Sequence, residues 1–197
     1  MTAGKFYRRC FRVLRFAVAL FYRLDISGAE NIPNGAAMVC ANHSSRSDPF
    51  LVAFAYGIDR HIHFIAKVSL FKVPVLSWFM KKLGMISVDR SLTDVSTIKS
   101  TLAYLKNGEP VAIFPEGRRV SDDAGSTAKS GAIKIAERAG VPIVPVFVPR
   151  KKPLFSKVPI VIGTPYIIGK TEPRRTVEEY EELSVELMRT IMSLRPS

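Results

Sequence analysis

Short apolar runs alternate along this chain with longer stretches of helical period. Leu24–Gly28, Ala37–Cys40, His63–Ala66, Ile86–Val88, Val111–Phe114, Ile143–Val148 and Val158–Ile162 are brief and mostly aliphatic. That pattern predicts strands. Helical patterns lie between most of them. One begins near Asp48, with Asp48 as N-cap and Pro49 at the first helical position. Others cover Val73–Leu83, closed by Gly84; Asp94–Asn107, followed by Gly108; and Ala128–Ala139, followed by Gly140. A last helix, Thr176–Leu194, opens with Thr176 and Glu179 in capping-box spacing. The alternation predicts an α/β fold: a mostly parallel central sheet of about seven strands flanked by helices.

The first helical stretch, Lys5–Leu24, differs from the rest. Lys5, Arg8, Arg12 and Arg15 share one face, while Phe6, Val13, Phe16, Leu20 and Leu24 populate much of the remainder, and no acidic residue precedes Asp25. This reads as an amphipathic interfacial helix, with apolar side chains in the acyl boundary and arginines among anionic headgroups. The competing reading is a helix packed on the domain with a solvated basic face. The expected division is residues 1–24 as membrane-interface helix and 25–197 as the globular domain. The apolar core Phe16–Tyr22 is far short of the roughly 20 residues needed to span a bilayer. Arg12 and Arg15 also interrupt the place where a leader peptide would carry its apolar run, so cleavage after Ala17-Val18-Ala19 is not expected.

The chain has 197 residues, enough for one domain with a proper core. A hydrophobic share of 47% against 23% charged residues argues against disorder, and a formal charge of +12 calls for an anionic partner. Nucleic acid and anionic membrane both qualify on charge. Cys10 and Cys40 lack metal-ligand spacing and do not make a disulfide framework, so no metal site is expected.

Two segments carry candidate chemistry. In Asn42-His43-Ser44-Ser45-Arg46-Ser47-Asp48, His43 lies just past the run Ala37–Cys40, at the carboxyl end of a strand, where open α/β sheets place ligands. A carboxylate accepting from one imidazole nitrogen fixes the tautomer and leaves the other nitrogen to take a proton. His43 with Asp48 is thus a base without a protein nucleophile, suited to a substrate hydroxyl attacking an acyl thioester. The bland alternative is a loop histidine and a helix-capping aspartate. In Phe114-Pro115-Glu116-Gly117-Arg118-Arg119, again at a strand exit, Pro115 and Gly117 turn the backbone so that Glu116, Arg118 and Arg119 project into one crevice. Arginine forks suit phosphate; the alternative is a basic surface turn. Lys67 and Arg90 also follow strands, so four basic positions converge on one sheet edge. No Gly-x-Ser-x-Gly turn supports Ser44, Ser45 or Ser47 as a nucleophile. His61 and His63 alternate about a strand entry and read as structural.

The chain resembles the glycerolipid acyltransferase family. The family motif N-H-x-x-x-x-D is met by Asn42, His43 and Asp48, and F-P-E-G-T-R-S by Phe114–Val120, with Arg118 for threonine and Val120 for serine. Gly84–Arg90 and Val141–Val146 are similar to two further motifs, in family order, and Gly28–Pro33 and Ala66-Lys67 are family-like too. The resemblance implies His43 as general base, Asp48 as its orienting partner, and Lys67, Arg90 and Arg119 as ligands of the acceptor's phosphate. It also implies a pocket shaped by Glu116 and Gly117, to which Arg118 adds a guanidinium. It places Val141–Val146 near the acyl chain or donor, although a buried strand explains the same pattern.

The implied reaction transfers a fatty acyl group from acyl-CoA or acyl carrier protein to 1-acyl-sn-glycerol 3-phosphate, forming phosphatidate, with no cofactor. Another lysophospholipid or a lyso-aminolipid is the nearest alternative acceptor. A non-catalytic basic protein docking on membrane or nucleic acid is the alternative of another class. No nucleic-acid module is recognisable, and the aromatics are not interleaved with a basic groove, so nucleic acid is not an expected partner. The expected location is the cytoplasmic face of a membrane, peripheral or monotopic. Phe147–Lys157, with Arg150, Lys151, Lys152, Leu154 and Phe155, is expected to reinforce docking.

Overall fold

The computed structural model describes residues 4–89, 94–121 and 128–196. Among these residues seven strands form one sheet: β1 (Arg23–Ser27), β2 (Met38–Ala41), β3 (His63–Lys67), β4 (Ile86–Val88), β5 (Val111–Ile113), β6 (Ile143–Phe147) and β7 (Lys157–Ile162). Their order is β1-β7-β6-β2-β5-β3-β4. The β4-β3-β5-β2-β6 portion is parallel throughout, so those five strands exit on one edge. β7 runs antiparallel to β6, and β1 parallel to β7.

Among the described residues six α-helices accompany the sheet: α1 (Lys5–Ala19), α2 (Asp48–Tyr56), α3 (Pro74–Lys82), α4 (Val95–Lys106), α5 (Gly131–Ala139) and α6 (Val177–Ser193). β2 shows why the sheet is covered on both faces. Val39 and Ala41 pack with α1 and α2, while Met38 and Cys40 pack with α4, α5 and α6. All four are essentially fully buried, as a central parallel strand requires.

Every expected strand and helix is present; the differences lie at the ends. Helix α5 begins at Gly131, not Ala128, because the Lys129 amide donates to the Pro115 carbonyl and holds the preceding segment against the β5 turn. Helix α1 stops at Ala19, ahead of β1. It buries Tyr7 and Phe11 in the core, with Leu14 and Val18 packed alongside, and leaves Val13, Phe16 and Leu20 exposed. The basic-face expectation missed this inner stripe, which alternates four and three residues apart. The capping box of Thr176 and Glu179 is formed.

His61 and His63 sit at the amino end of β3, on the sheet edge opposite His43. His61 Nε2 is 2.9 Å from the Leu83 carbonyl, and His63 Nδ1 is 2.9 Å from that of Gly84. His63 Nε2 meets the Glu109 carboxylate, and its ring stacks on Tyr104 at 3.8 Å. Both histidines tie the strand entry to neighbouring loops.

Candidate active site

The site begins with a buried amide. Asn42, just past β2, is fully buried; its Nδ2 donates to the Val148 carbonyl at 2.7 Å and its Oδ1 accepts the Val148 amide at 2.8 Å. The side chain thus imitates one more rung of the β2–β6 ladder beyond the last strand residue. His43 is delivered to the open edge. Its main chain is fixed from the β5 side: its N–H donates to the Glu116 carboxylate and its carbonyl accepts the Val120 amide at 2.8 Å. Its ring stacks on Phe114, centroids 4.1 Å apart, and the side chain keeps 14% exposure.

Asp48 does not cap its helix as expected. Ser47 occupies the N-cap position and Pro49 the second helical position, while the Asp48 carboxylate turns back to the preceding loop. Oδ2 accepts from His43 Nδ1 at 2.9 Å and from the amides of Ser44 and Ser45, each at 2.7 Å. Oδ1 makes a 2.9 Å ion pair with Lys152. Burial alone raises such a carboxyl, but the His43 hydrogen bond, the Lys152 charge and the Ser45 and Ser44 amides outweigh it and hold Asp48 below its ordinary value. An ionised Asp48 can only accept, so Nδ1 of His43 carries a hydrogen, and in the neutral ring the lone pair then falls on Nε2. This is the geometry of a proton acceptor.

The turn after β5 divides its residues between inside and outside. Gly117 adopts φ +64°, and a Cβ there would lie 3.2 Å from the Lys129 side chain. Arg118 and Arg119 are exposed. Glu116 departs from the expectation of one shared crevice: it is buried beneath the turn, bonding to the His43 amide and, at 2.6 Å, to Arg150. Val120 is also buried, its carbonyl accepting from Arg150 at 2.8 Å. Lys67, exposed, ends the neighbouring strand β3. The topology therefore brings His43, Lys67, Arg118 and Arg119 to one edge, while Arg90 lies outside the described residues.

Arg150 and Lys152 correct the sequence reading. The sequence groups them with Lys151, Leu154 and Phe155 as a docking patch, yet their side chains are only 6% and 5% exposed, whereas those three residues are exposed. Arg150 joins Glu116, and Lys152 joins Asp48 and donates to Ser44 Oγ at 3.0 Å. The available signal was alternation: past β6, every second residue turns inward toward two buried carboxylates.

A family model described as Acyltransferase matches residues 23–149, well over half of the chain. The chain belongs to the acyltransferase family. It is 34% identical over 166 residues to the 1-acyl-sn-glycerol-3-phosphate acyltransferase of Bacillus subtilis, covering 81% of each chain. It is 33% identical over 130 residues to the chloroplastic 1-acyl-sn-glycerol-3-phosphate acyltransferase of Brassica napus, where the match covers 64% of the present chain but only 37% of the plant protein. Among solved structures it is similar to the 1-acyl-sn-glycerophosphate acyltransferase PlsC from Thermotoga maritima. The TM-score is 0.67 and the identity 29%, covering 98% of this chain and 79% of the other.

Proposed function

We propose that this acyltransferase moves a fatty acyl group from an acyl thioester to the free hydroxyl of 1-acyl-sn-glycerol 3-phosphate, forming phosphatidate. The observation that carries this reading is the His43–Asp48 hydrogen bond, which leaves Nε2 free beside a strand edge bearing Lys67, Arg118 and Arg119. The acceptor's phosphate binds the basic edge, with Arg90 as a further ligand, and Gly117 lets the turn approach it. The hydroxyl then meets the thioester in a fixed geometry. As the hydroxyl oxygen attacks the thioester carbonyl, its proton passes to Nε2. The carbon–sulfur bond breaks, and the proton returns to the departing thiolate. Asp48 supports the imidazolium between those two transfers.

The thioester carrier is coenzyme A or an acyl carrier protein, whose acidic surface suits a chain of charge +12. No helix among the described residues is long and apolar enough to cross a membrane. We place the enzyme on the cytoplasmic face as a peripheral or monotopic protein, held through the exposed side of α1.

Purified protein given lysophosphatidate and an acyl thioester should release phosphatidate. His43→Ala should lower the rate by about 10²–10⁴-fold, and wild-type turnover in that variant would sink the mechanism. Arg119→Ala should raise KM for the phosphorylated acceptor with kcat largely kept. A panel of other lysophospholipids and a lyso-aminolipid identifies the preferred headgroup.

A further inference from the structure

Two buried ion pairs bracket His43. Glu116 is paired with Arg150 at 2.6 Å, and Asp48 with Lys152 at 2.9 Å. Glu116 comes from the β5 turn, Asp48 from the start of α2, and Arg150 and Lys152 from the β6 exit, while Lys67, Arg118 and Arg119 stand exposed on the same sheet edge. The two carboxylates show no side-chain exposure and the two cations about 5%, so little water is available to screen an imbalance.

Within this set Lys152 has a distinctive place. Asp48 Oδ2 is already engaged by three donors, whereas Oδ1 faces Lys152. The lysine also donates to Ser44 Oγ, in the loop that carries His43. Its position is set by the strand exit, because Val148 is clamped by Asn42 and Arg150 by Glu116 and the Val120 carbonyl. Burying an ammonium is costly unless it is paired. Here the pairing does something for the neighbouring ring. A lone carboxylate beside an imidazole favours the imidazolium, and an imidazolium cannot take a proton from a hydroxyl. A cation on the carboxylate's far oxygen counters that pull while leaving the hydrogen bond to Nδ1 intact.

We propose that Lys152 is a positioning residue for acyl transfer: it pins the second oxygen of Asp48 and keeps His43 in the unprotonated state that accepts the hydroxyl proton. This rests on His43 being the base. Lys152 touches neither substrate nor the reacting atoms; it acts through Asp48.

The test compares kcat/KM against pH for wild type, Lys152→Met, Lys152→Gln and Lys152→Arg, with His43→Ala alongside and thermal melts to check folding. Removing the charge should move the acid limb upward by about one pH unit, so that activity falls about tenfold on the acid side and little on the alkaline side. Lys152→Arg should keep the limb where wild type has it. NMR titration of the His43 ring should show the same upward displacement in Lys152→Gln, with no dependence on turnover. If His43→Ala retains wild-type turnover, the base reading fails and Lys152 loses its role with it. If His43→Ala is inactive but Met and Gln lower the rate by one factor at every pH, or Arg displaces the limb as they do, the base stands and the Lys152 proposal is overturned.

Discussion

The Asn42 side chain and the Val148 main chain exchange a reciprocal pair of hydrogen bonds, 2.7 and 2.8 Å long, in the fully buried seam between β2 and β6. One side chain therefore fixes the distance between the loop carrying His43 and the segment carrying Arg150 and Lys152. Asn42→Ala removes both bonds and leaves the Val148 amide and carbonyl buried without partners. The expected cost is about 2–5 kcal/mol, read as a lowered urea midpoint. A loss below about 1 kcal/mol would show that water or a shifted strand replaces the amide.

The two ends of that seam were unequally legible in the sequence. Asn42, His43 and the β5 turn could be placed because each follows an apolar run, and a parallel sheet sends every such exit to the same edge. Asp48 was located but given the wrong contacts: a residue at a helix start satisfies either its own helix or the loop before it, and spacing alone does not choose. Here the His43 ring and two loop amides won. Arg150 and Lys152 were misread because neighbouring Lys151, Leu154 and Phe155 make the segment look like a uniform basic and apolar patch. Which carbon stem turns inward depends on strand pairing and on the buried Glu116 and Asp48, both distant in sequence. Glu116 likewise looked like a ligand-facing acid, and only the fold shows it to be a strut under the turn.

Gly28 offers a test of backbone fit at the far side of the sheet. It adopts φ +75°, and a Cβ built there would lie 1.9 Å from the Ile162 carbonyl oxygen, the same oxygen that accepts Asn31 Nδ2 at 2.9 Å. Gly28→Ala must strain a left-handed conformation and push β7 away from Asn31. Stability should drop by about 2–4 kcal/mol in thermal or denaturant unfolding. An alanine variant with wild-type stability would mean the turn has an alternative conformation at little cost.

His61 gives the fold an acid-sensitive point away from the active site. Burial and the nearby His63 charge hold its imidazole below the ordinary value of 6.5, against the opposing pull of the Leu83 carbonyl and Glu109. As pH falls below that ordinary value, the unfolded chain takes a proton that the folded one resists, so stability declines until the folded-state value is passed. His61→Gln, able to keep a donor toward Leu83, should lessen this decline between pH 7 and the acid range. Parallel stability curves for variant and wild type would assign the acid sensitivity elsewhere.

The exposed apolar side chains suggest how the site reaches a lipid. β1 and β7 start on the edge where the parallel strands end, since β7 opposes β6. Leu20 and Phe21 precede β1, and Phe155, 78% exposed, precedes β7. They therefore lie at the edge that carries His43, and Phe21 and Phe155 touch, their ring centroids 6.2 Å apart. On the other side Val73, Val75 and Leu76 protrude where α3 begins, shortly after β3 exits, and all are exposed. Inserting these groups in a bilayer would set the basic edge at headgroup depth. Deleting α1 is a poor test, because Tyr7 and Phe11 belong to the core and their loss would unfold the domain. Point changes at exposed positions are cleaner: Phe16→Ser on α1, Leu20→Ser just past its end and Phe155→Ser ahead of β7 should each weaken sedimentation with phosphatidylglycerol vesicles by about tenfold, near the lower end of the roughly 1.5–3 kcal/mol of burying a large apolar side chain. Added salt should weaken binding further by screening Arg9 and Arg12, which are exposed on the same helix. Turnover of a water-soluble short-chain acceptor should be unchanged in these variants. Loss of that turnover would mean the substitutions act through folding, and unchanged sedimentation in all three would remove this edge as the membrane-facing surface.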